Sequence, residues 1–215
     1  MTNIKALEET WKQNLKCWGG NSFQVKRWFS YLVKQYTSKE RKYHSLNHVI
    51  YMLNLAEKFK TKVHNWKAFY LAIWFHDAIQ NKLIDNEKLS AQKCLEAIDE
   101  LNLSDDAREA VQLILATESH GKRESSDAKL FIDLDLAILG SSKKEYRRYA
   151  RQCRAEYKIP NFLYRRGRIN VLEKFIERAH IYQSDLFQNK YEHQARINLS
   201  WEVASLKKGR HYEYT

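Results

Sequence analysis

Four short segments of the chain combine histidine with acidic side chains in a way that suits metal chemistry. They read YHSLNH at 43–48, WFHD at 74–77, ATESH at 116–120 and DLD at 133–135. His44 and His48 are four residues apart, so on a helix they would lie on one face, about 5–6 Å apart at Cβ. His76 and Asp77 are adjacent, near the end of the most apolar run in the chain. Imidazole beside carboxylate is a ligand combination that divalent metals use.

Three of the aspartates lie in or against apolar sequence. Asp77 follows AFYLAIWFH at 68–76, and Asp133 and Asp135 interrupt LFIDLDLAIL at 130–139. A carboxylate in such surroundings is destabilising unless it is paired or bound to a cation. Taken singly, each histidine could pack in the core and each aspartate could cap a helix, and it is their conjunction that indicates a metal. With no sulfur ligand and at least two carboxylates, iron or manganese is favoured over zinc, and such a site also tolerates magnesium.

The order of these ligands resembles that of a known superfamily. The series His48 … His76-Asp77 … Asp135 is similar to the signature of the HD superfamily of metal-dependent phosphohydrolases. Seven blocks resemble, in order, an uncharacterised bacterial branch of that superfamily: RKYHSLNHV, WFHDAI, DNEKLSA, LATESH, FIDLDLAILG, CRAEY and GRINVL. The blocks and their flanks cover about 41–206. The resemblance implies a helical HD-type domain in which His48, His76, Asp77 and Asp135 hold the metal.

The segment YHSLNH also resembles the YHNxxH block of cyclic-nucleotide phosphodiesterases, a distant branch of the same superfamily. That likeness implies that His48 is a ligand and that His44 is the general acid. LATESH is similar to a third block with different spacing, which implies that His120 binds a second metal or contacts phosphate. Asp135 matches the final aspartate block better than Asp133, to which the resemblance gives no role.

The residue types imply a hydrolytic mechanism and some substrate contacts. A metal in this site would activate water and polarise a phosphoryl oxygen, with His44 and Asp77 as the catalytic side chains. His120, Arg154 and Glu87 are the candidates for binding substrate. Arg154 is the arginine nearest the apolar stripe of its predicted helix, whereas Glu87 either caps a helix or reaches the water on the metal.

The positive charge of the chain is concentrated in one segment. The net charge is +11, and residues 141–168 contain ten lysines or arginines and two acids, which gives +8. A field of this kind attracts phosphate esters and nucleic acids, although a solvated helix face would have the same composition.

The spacing of apolar residues predicts helices along most of the chain, with one proline and six glycines to interrupt them. Helices are predicted over 47–60, 67–79, 87–101, from Ser104 towards His120 with Gly121 as the stop, and over about 143–157, 167–184 and 190–207. The run 130–139 is read as a buried helix or turn. These elements predict one all-α domain over 1–215, with a motif-bearing core at about 41–140 and C-terminal helices at about 141–207.

Composition narrows the classes of function. Three scattered cysteines without a CxxC argue against a disulfide framework or a cysteine zinc site. No stretch approaches the ~20 apolar residues of a membrane span, and the N-terminus lacks the apolar core of a signal peptide. We therefore expect a cytoplasmic hydrolase of a small phosphorylated molecule such as a nucleotide, with no membrane partner and with a homo-oligomer left open. The alternatives are a nucleic-acid-binding or nucleic-acid-processing protein that uses 141–168 and a metal-binding protein without catalysis.

Overall fold

A computed structural model describes residues 4–80, 85–121 and 123–209, and these residues form helices joined by short connections. The α-helices of this part of the chain are α1 (Ile4–Cys17), α2 (Ser22–Tyr36), α3 (Leu46–Glu57), α4 (Trp66–Phe75), α5 (Asn86–Leu101), α6 (Glu109–Ala116), α7 (Ser126–Asp135), α8 (Lys143–Glu156), α9 (Asn161–Ile176) and α10 (Asp185–Lys207). Short 3-10 segments occupy Lys60–Lys62, Asp105–Arg108 and Leu136–Gly140. No strand occurs within the described ranges. The prediction of an all-α protein is confirmed.

The chain divides into two compact units, residues 1–131 and 132–215. The first contains α1 to α6 and the start of α7, and the second contains the end of α7 and α8 to α10. None of the described helices is long and apolar enough to cross a membrane.

Helix α4 is the centre of the first unit. All its residues from Ala68 to Phe75 are buried, and it packs against α3, α5 and α6. Trp11 of α1 meets Trp74 edge to face, with ring centroids 5.1 Å apart. Burial of a large apolar side chain stabilises the fold by about 1.5–3 kcal/mol, so this helix, apolar throughout from Ala68 to Phe75, anchors the unit. The predicted burial of this segment is confirmed.

Both ends of α4 are set by polar contacts from other elements. At its start, Asn65 accepts a hydrogen bond from the Ala68 amide, and Asp127 accepts from the amides of His64 and Asn65. At its end, the helix stops at Phe75 rather than at the predicted residue 79. Just beyond the helix, the carbonyls of Asp77 and Ala78 accept hydrogen bonds from the Arg41 side chain.

The second unit is assembled around α10. The 3-10 segment Leu136–Gly140 and helix α9 pack on α10, and α8 packs on the 3-10 segment. A Cβ at Gly140 would lie 2.6 Å from Cβ of Tyr191, so only glycine permits this close approach. A capping box between Ser142 and Glu145 begins α8.

Several predicted helix boundaries need correction. Helix α9 covers 161–176 instead of 167–184 because Pro160 supplies the extended N-cap from which the helix begins. Helix α10 starts at Asp185 rather than at 190. The helix predicted to run towards His120 is a 3-10 turn followed by α6, which ends at Ala116, and the left-handed residue is His120 itself (φ 47°) rather than Gly121.

Candidate metal centre

Three of the predicted ligands converge in the first unit. His48 lies in the first turn of α3, His76 is the C-cap of α4, and Asp77 follows it. We call them the His48–His76–Asp77 triad. Their Nε2, Nε2 and Oδ2 atoms are separated by 3.2 Å between the histidines, 3.3 Å between His76 and Asp77, and 3.9 Å between His48 and Asp77. Both imidazoles are buried, whereas the Asp77 side chain is 30% exposed.

These separations fit a common cation. Two ligand atoms about 2.1 Å from a metal, at tetrahedral or octahedral angles, are roughly 3.0–3.4 Å apart. Two of the three separations in the triad fall in that range, and the third is somewhat wider. Two nitrogens and one carboxylate oxygen are a donor set for zinc, iron or manganese. The triad therefore fits a divalent transition metal.

The proton of His76 is held on the nitrogen that faces away from the triad. Its Nδ1 lies 3.0 Å from the carbonyl oxygen of Ile73, which can only accept a hydrogen bond. Nδ1 is therefore a protonated nitrogen, which leaves Nε2 to present a lone pair towards His48 and Asp77 whenever the ring is neutral. Metal-binding histidines are oriented in this way by a partner on the second nitrogen.

The surroundings of Asp77 lower the pKa of its carboxyl. Burial acts to raise the pKa of its carboxyl, but His76, His44 and His48 act in the opposite direction, and the net pKa is well below the ordinary value. An ionised carboxylate held among imidazoles presents the charged form that binds a cation.

His44 lies beside the triad but not on the helix that carries His48. It belongs to the non-helical segment that precedes α3, so the assumption that both histidines share one helical face is wrong. The two rings are nevertheless close, with centroids 6.1 Å apart. The Tyr43 ring packs against both, at 5.0 Å from His44 and 4.9 Å from His48. His44 is half-buried.

Arg41 connects the segment that carries His44 to the segment that carries Asp77. Its guanidinium is buried, and it donates to the carbonyls of His44 (2.9 Å), Asp77 (2.6 Å) and Ala78 (3.1 Å). It also lies over the Tyr36 ring, 4.9 Å from the centroid. Arg41 thereby fixes the backbone of two candidate site residues at once. Sequence analysis assigned Arg41 no role. Its position two residues before the YHSLNH segment could have suggested one.

The two aspartates of DLD differ in position. Asp133 is fully buried in the second unit and accepts from the amides of Gln183 (2.7 Å) and Ser184 (2.8 Å) and from the Ser184 hydroxyl. It therefore satisfies backbone donors at the start of α10, a structural role that the sequence did not indicate. Asp135 is the last residue of α7 and is half-buried. Its assignment as the fourth ligand stays a prediction from the resemblance.

The predicted substrate-binding residues lie on three different elements. Glu87 is in the first turn of α5, two residues after the N-cap Asp85. The Asp85 carboxylate forms an ion pair with Lys88, at 2.7 Å. His120 follows α6 in left-handed conformation. Arg154 donates to the carbonyls of Tyr157 (2.6 Å) and Ile159 (2.9 Å) and to the Asn161 side chain. Substrate binding by these residues stays a prediction, and for Arg154 the structure adds a local structural role.

The basic segment 141–168 is less uniform than its composition suggests. Arg168 forms a buried ion pair with Glu202, with Nε 2.9 Å from Oε1. Arg147 lies over the Trp201 ring at 4.7 Å. Like Arg154, these two arginines make contacts within the second unit. The exposed basic side chains of the segment include Lys143, Lys144, Arg148, Lys158 and Arg166.

Comparison with family models, with curated proteins and with solved structures found no match to this chain. The likeness to the HD superfamily therefore rests on the motifs quoted above.

Proposed function

We propose that this chain is a metal-dependent hydrolase of the HD type that cleaves a phosphate ester of a small molecule, such as a nucleotide. The observation that supports it most is the convergence of two imidazole nitrogens and one carboxylate oxygen within 3.9 Å. Two buried imidazoles against a partly buried carboxylate are destabilising unless their charges are balanced, and a divalent cation balances them.

The side chains around the triad have complementary roles in this proposal. A divalent cation, when bound, would supply the Lewis acidity that activates water and polarises a phosphoryl oxygen. His48 and His76 hold it, and Asp77 adds negative charge on the side of the triad that is exposed to solvent. His44 donates a proton to the leaving oxygen. Iron and manganese are favoured over zinc by the carboxylate content of the predicted set, and magnesium is tolerated.

Elemental analysis and a substrate panel test the proposal together. Protein purified without added metal should contain iron, manganese or zinc, and the metal-free protein should regain it from solution. Hydrolysis of phosphomonoesters, phosphodiesters and nucleotides should then depend on that metal. Metal binding without hydrolysis of any phosphoester would support the non-catalytic alternative, and failure to bind any of the three metals would exclude both.

Replacing Arg41 should weaken the metal site through the backbone. Arg41→Lys keeps the charge but replaces the two terminal nitrogens that bond the carbonyls with a single one, so the segments of His44 and Asp77 should shift. Loss of a partner that orients a ligand typically lowers metal affinity by about 10–100-fold. The change should appear in metal titrations and in the visible absorption spectrum of the cobalt(II)-substituted protein, which reports ligand geometry.

Arg196→Lys is the matched control for Arg41→Lys. Arg196 donates to the carbonyls of Ile176, Arg178 and Ala179 in the second unit. Both variants should be less stable, because each leaves carbonyls without their donor. Only the Arg41 variant should change the metal affinity and the cobalt spectrum, and equal effects of the two would reduce Arg41 to a general stabilising role.

A further inference from the structure

Four large apolar side chains are exposed within seven residues where α8 is joined to α9. Residues 157–163 are called here the α8–α9 corner. Tyr157 is 52% exposed, Ile159 40%, Phe162 65% and Leu163 47%. Single exposed apolar residues are ordinary on protein surfaces, but a contiguous group of them marks a contact with a partner.

Hydrogen bonds from Arg154 hold the backbone of the α8–α9 corner. Arg154 donates to the carbonyls of Tyr157 and Ile159 and to the side chain of Asn161, and it lies over the buried Tyr164 ring at 4.8 Å. These bonds fix the turn that carries the four exposed apolar side chains, so the corner is a preformed apolar tip.

The acidic neighbour Glu156 is buried, and the exposed charged side chains from Tyr157 to Leu172 are positive. The chain has no acidic residue from Tyr157 to Leu172, and Lys158 and Arg166 are exposed. A two-fold contact between copies at this tip would bring like charges together. Nucleic acid would pair with the cations, but its contacts use phosphate pairing and stacking on rings, and they leave the aliphatic Ile159 and Leu163 unused. A lipid surface with anionic headgroups accommodates both the apolar and the basic side chains.

We propose that the α8–α9 corner docks on an anionic membrane surface. Phe162 and Leu163 enter the boundary between headgroups and acyl chains, and Lys158 and Arg166 contact lipid phosphates. Contact of this kind needs no membrane-spanning helix, and it departs from the expectation of no membrane partner, which rested on the lack of a span. The proposal is independent of the metal site.

Sedimentation with vesicles tests it. The full-length protein should sediment with mixed phosphatidylcholine–phosphatidylglycerol vesicles, less with phosphatidylcholine alone, and less as the salt concentration rises. The double substitution Phe162→Ser with Leu163→Ser should lower the partition coefficient at least about tenfold. Arg166→Ala should lower it by about fivefold.

Phe23→Ser is the matched control, because Phe23 of α2 is 76% exposed and lies outside the corner. It should leave vesicle binding unchanged. Equal loss in this control, or binding that survives the double substitution, would overturn the proposal. A dimer that the double substitution dissociates, or binding to single-stranded RNA but not to vesicles, would also overturn it and would identify the other occupant.

Discussion

The substitution Asp77→Asn should abolish stable metal binding in a chain that still folds. Asp77 is the carboxylate of the His48–His76–Asp77 triad, with Oδ2 at 3.3 and 3.9 Å from the two ring nitrogens. Asparagine keeps the shape of the side chain but removes its negative charge. Since the loss of a partner outside the ligand shell already lowers metal affinity by about 10–100-fold, the loss of a direct ligand should exceed about 100-fold. Metal content after dialysis and the thermal midpoint of the metal-free protein measure the two parts of this expectation.

The same substitution at Asp133 and at Asp135, the two aspartates of the DLD segment, is the comparison for Asp77→Asn. Asp133→Asn should lower the free energy of unfolding by about 1–3 kcal/mol, because it weakens the acceptor of the Gln183 and Ser184 amides, and it should leave the metal content unchanged. Asp135→Asn should behave like Asp77→Asn if Asp135 is the fourth ligand. Full metal retention in the Asp77 variant would contradict the triad, and metal loss in the Asp133 variant alone would reverse the assignment of the two aspartates.

Local sequence patterns indicated some residues of the candidate site but not how they come together. The apolar run before His76 identified α4 as a buried helix, and burial of a histidine and an aspartate at its end pointed to their joint role. Their approach to His48 depends on how α3 packs on α4, which no local pattern specifies. It was the resemblance of ordered motifs that grouped these residues.

The features that sequence reasoning missed depend on contacts distant in sequence. Arg41 was unassigned because the carbonyls of Asp77 and Ala78 lie 36 and 37 residues away along the chain. Periodicity also gave α4 too long an extent, because the apolar spacing continues through Ala78 although the helix ends at Phe75. Asp133 is a comparable case, since its partners at 183 and 184 are about 50 residues away.

His44→Ala should retain the metal and slow hydrolysis of substrates with poor leaving groups. The His44 ring lies 6.1 Å from that of His48 and comes from a different local structure, the segment before α3. The residue is half-buried rather than enclosed in the core. General acid catalysis typically contributes about 10²–10⁴-fold, and the rate loss with alkyl phosphate esters should fall in that range. The loss should be much smaller with nitrophenyl esters, because nitrophenolate leaves without protonation.

Two further variants separate proton donation by His44 from its packing against Tyr43. His44→Phe keeps an aromatic ring at the 5.0 Å contact with Tyr43 but has no proton to give, so it should share the kinetic defect of His44→Ala with better stability. His64→Ala removes a histidine of the same unit whose side chain is 78% exposed and paired with Asp127, and it should leave metal content and rates unchanged. If His44 is instead a ligand, His44→Ala will lose metal. If it only packs, the Ala variant will slow all substrates alike and the Phe variant will be active, because a packing defect does not distinguish one leaving group from another.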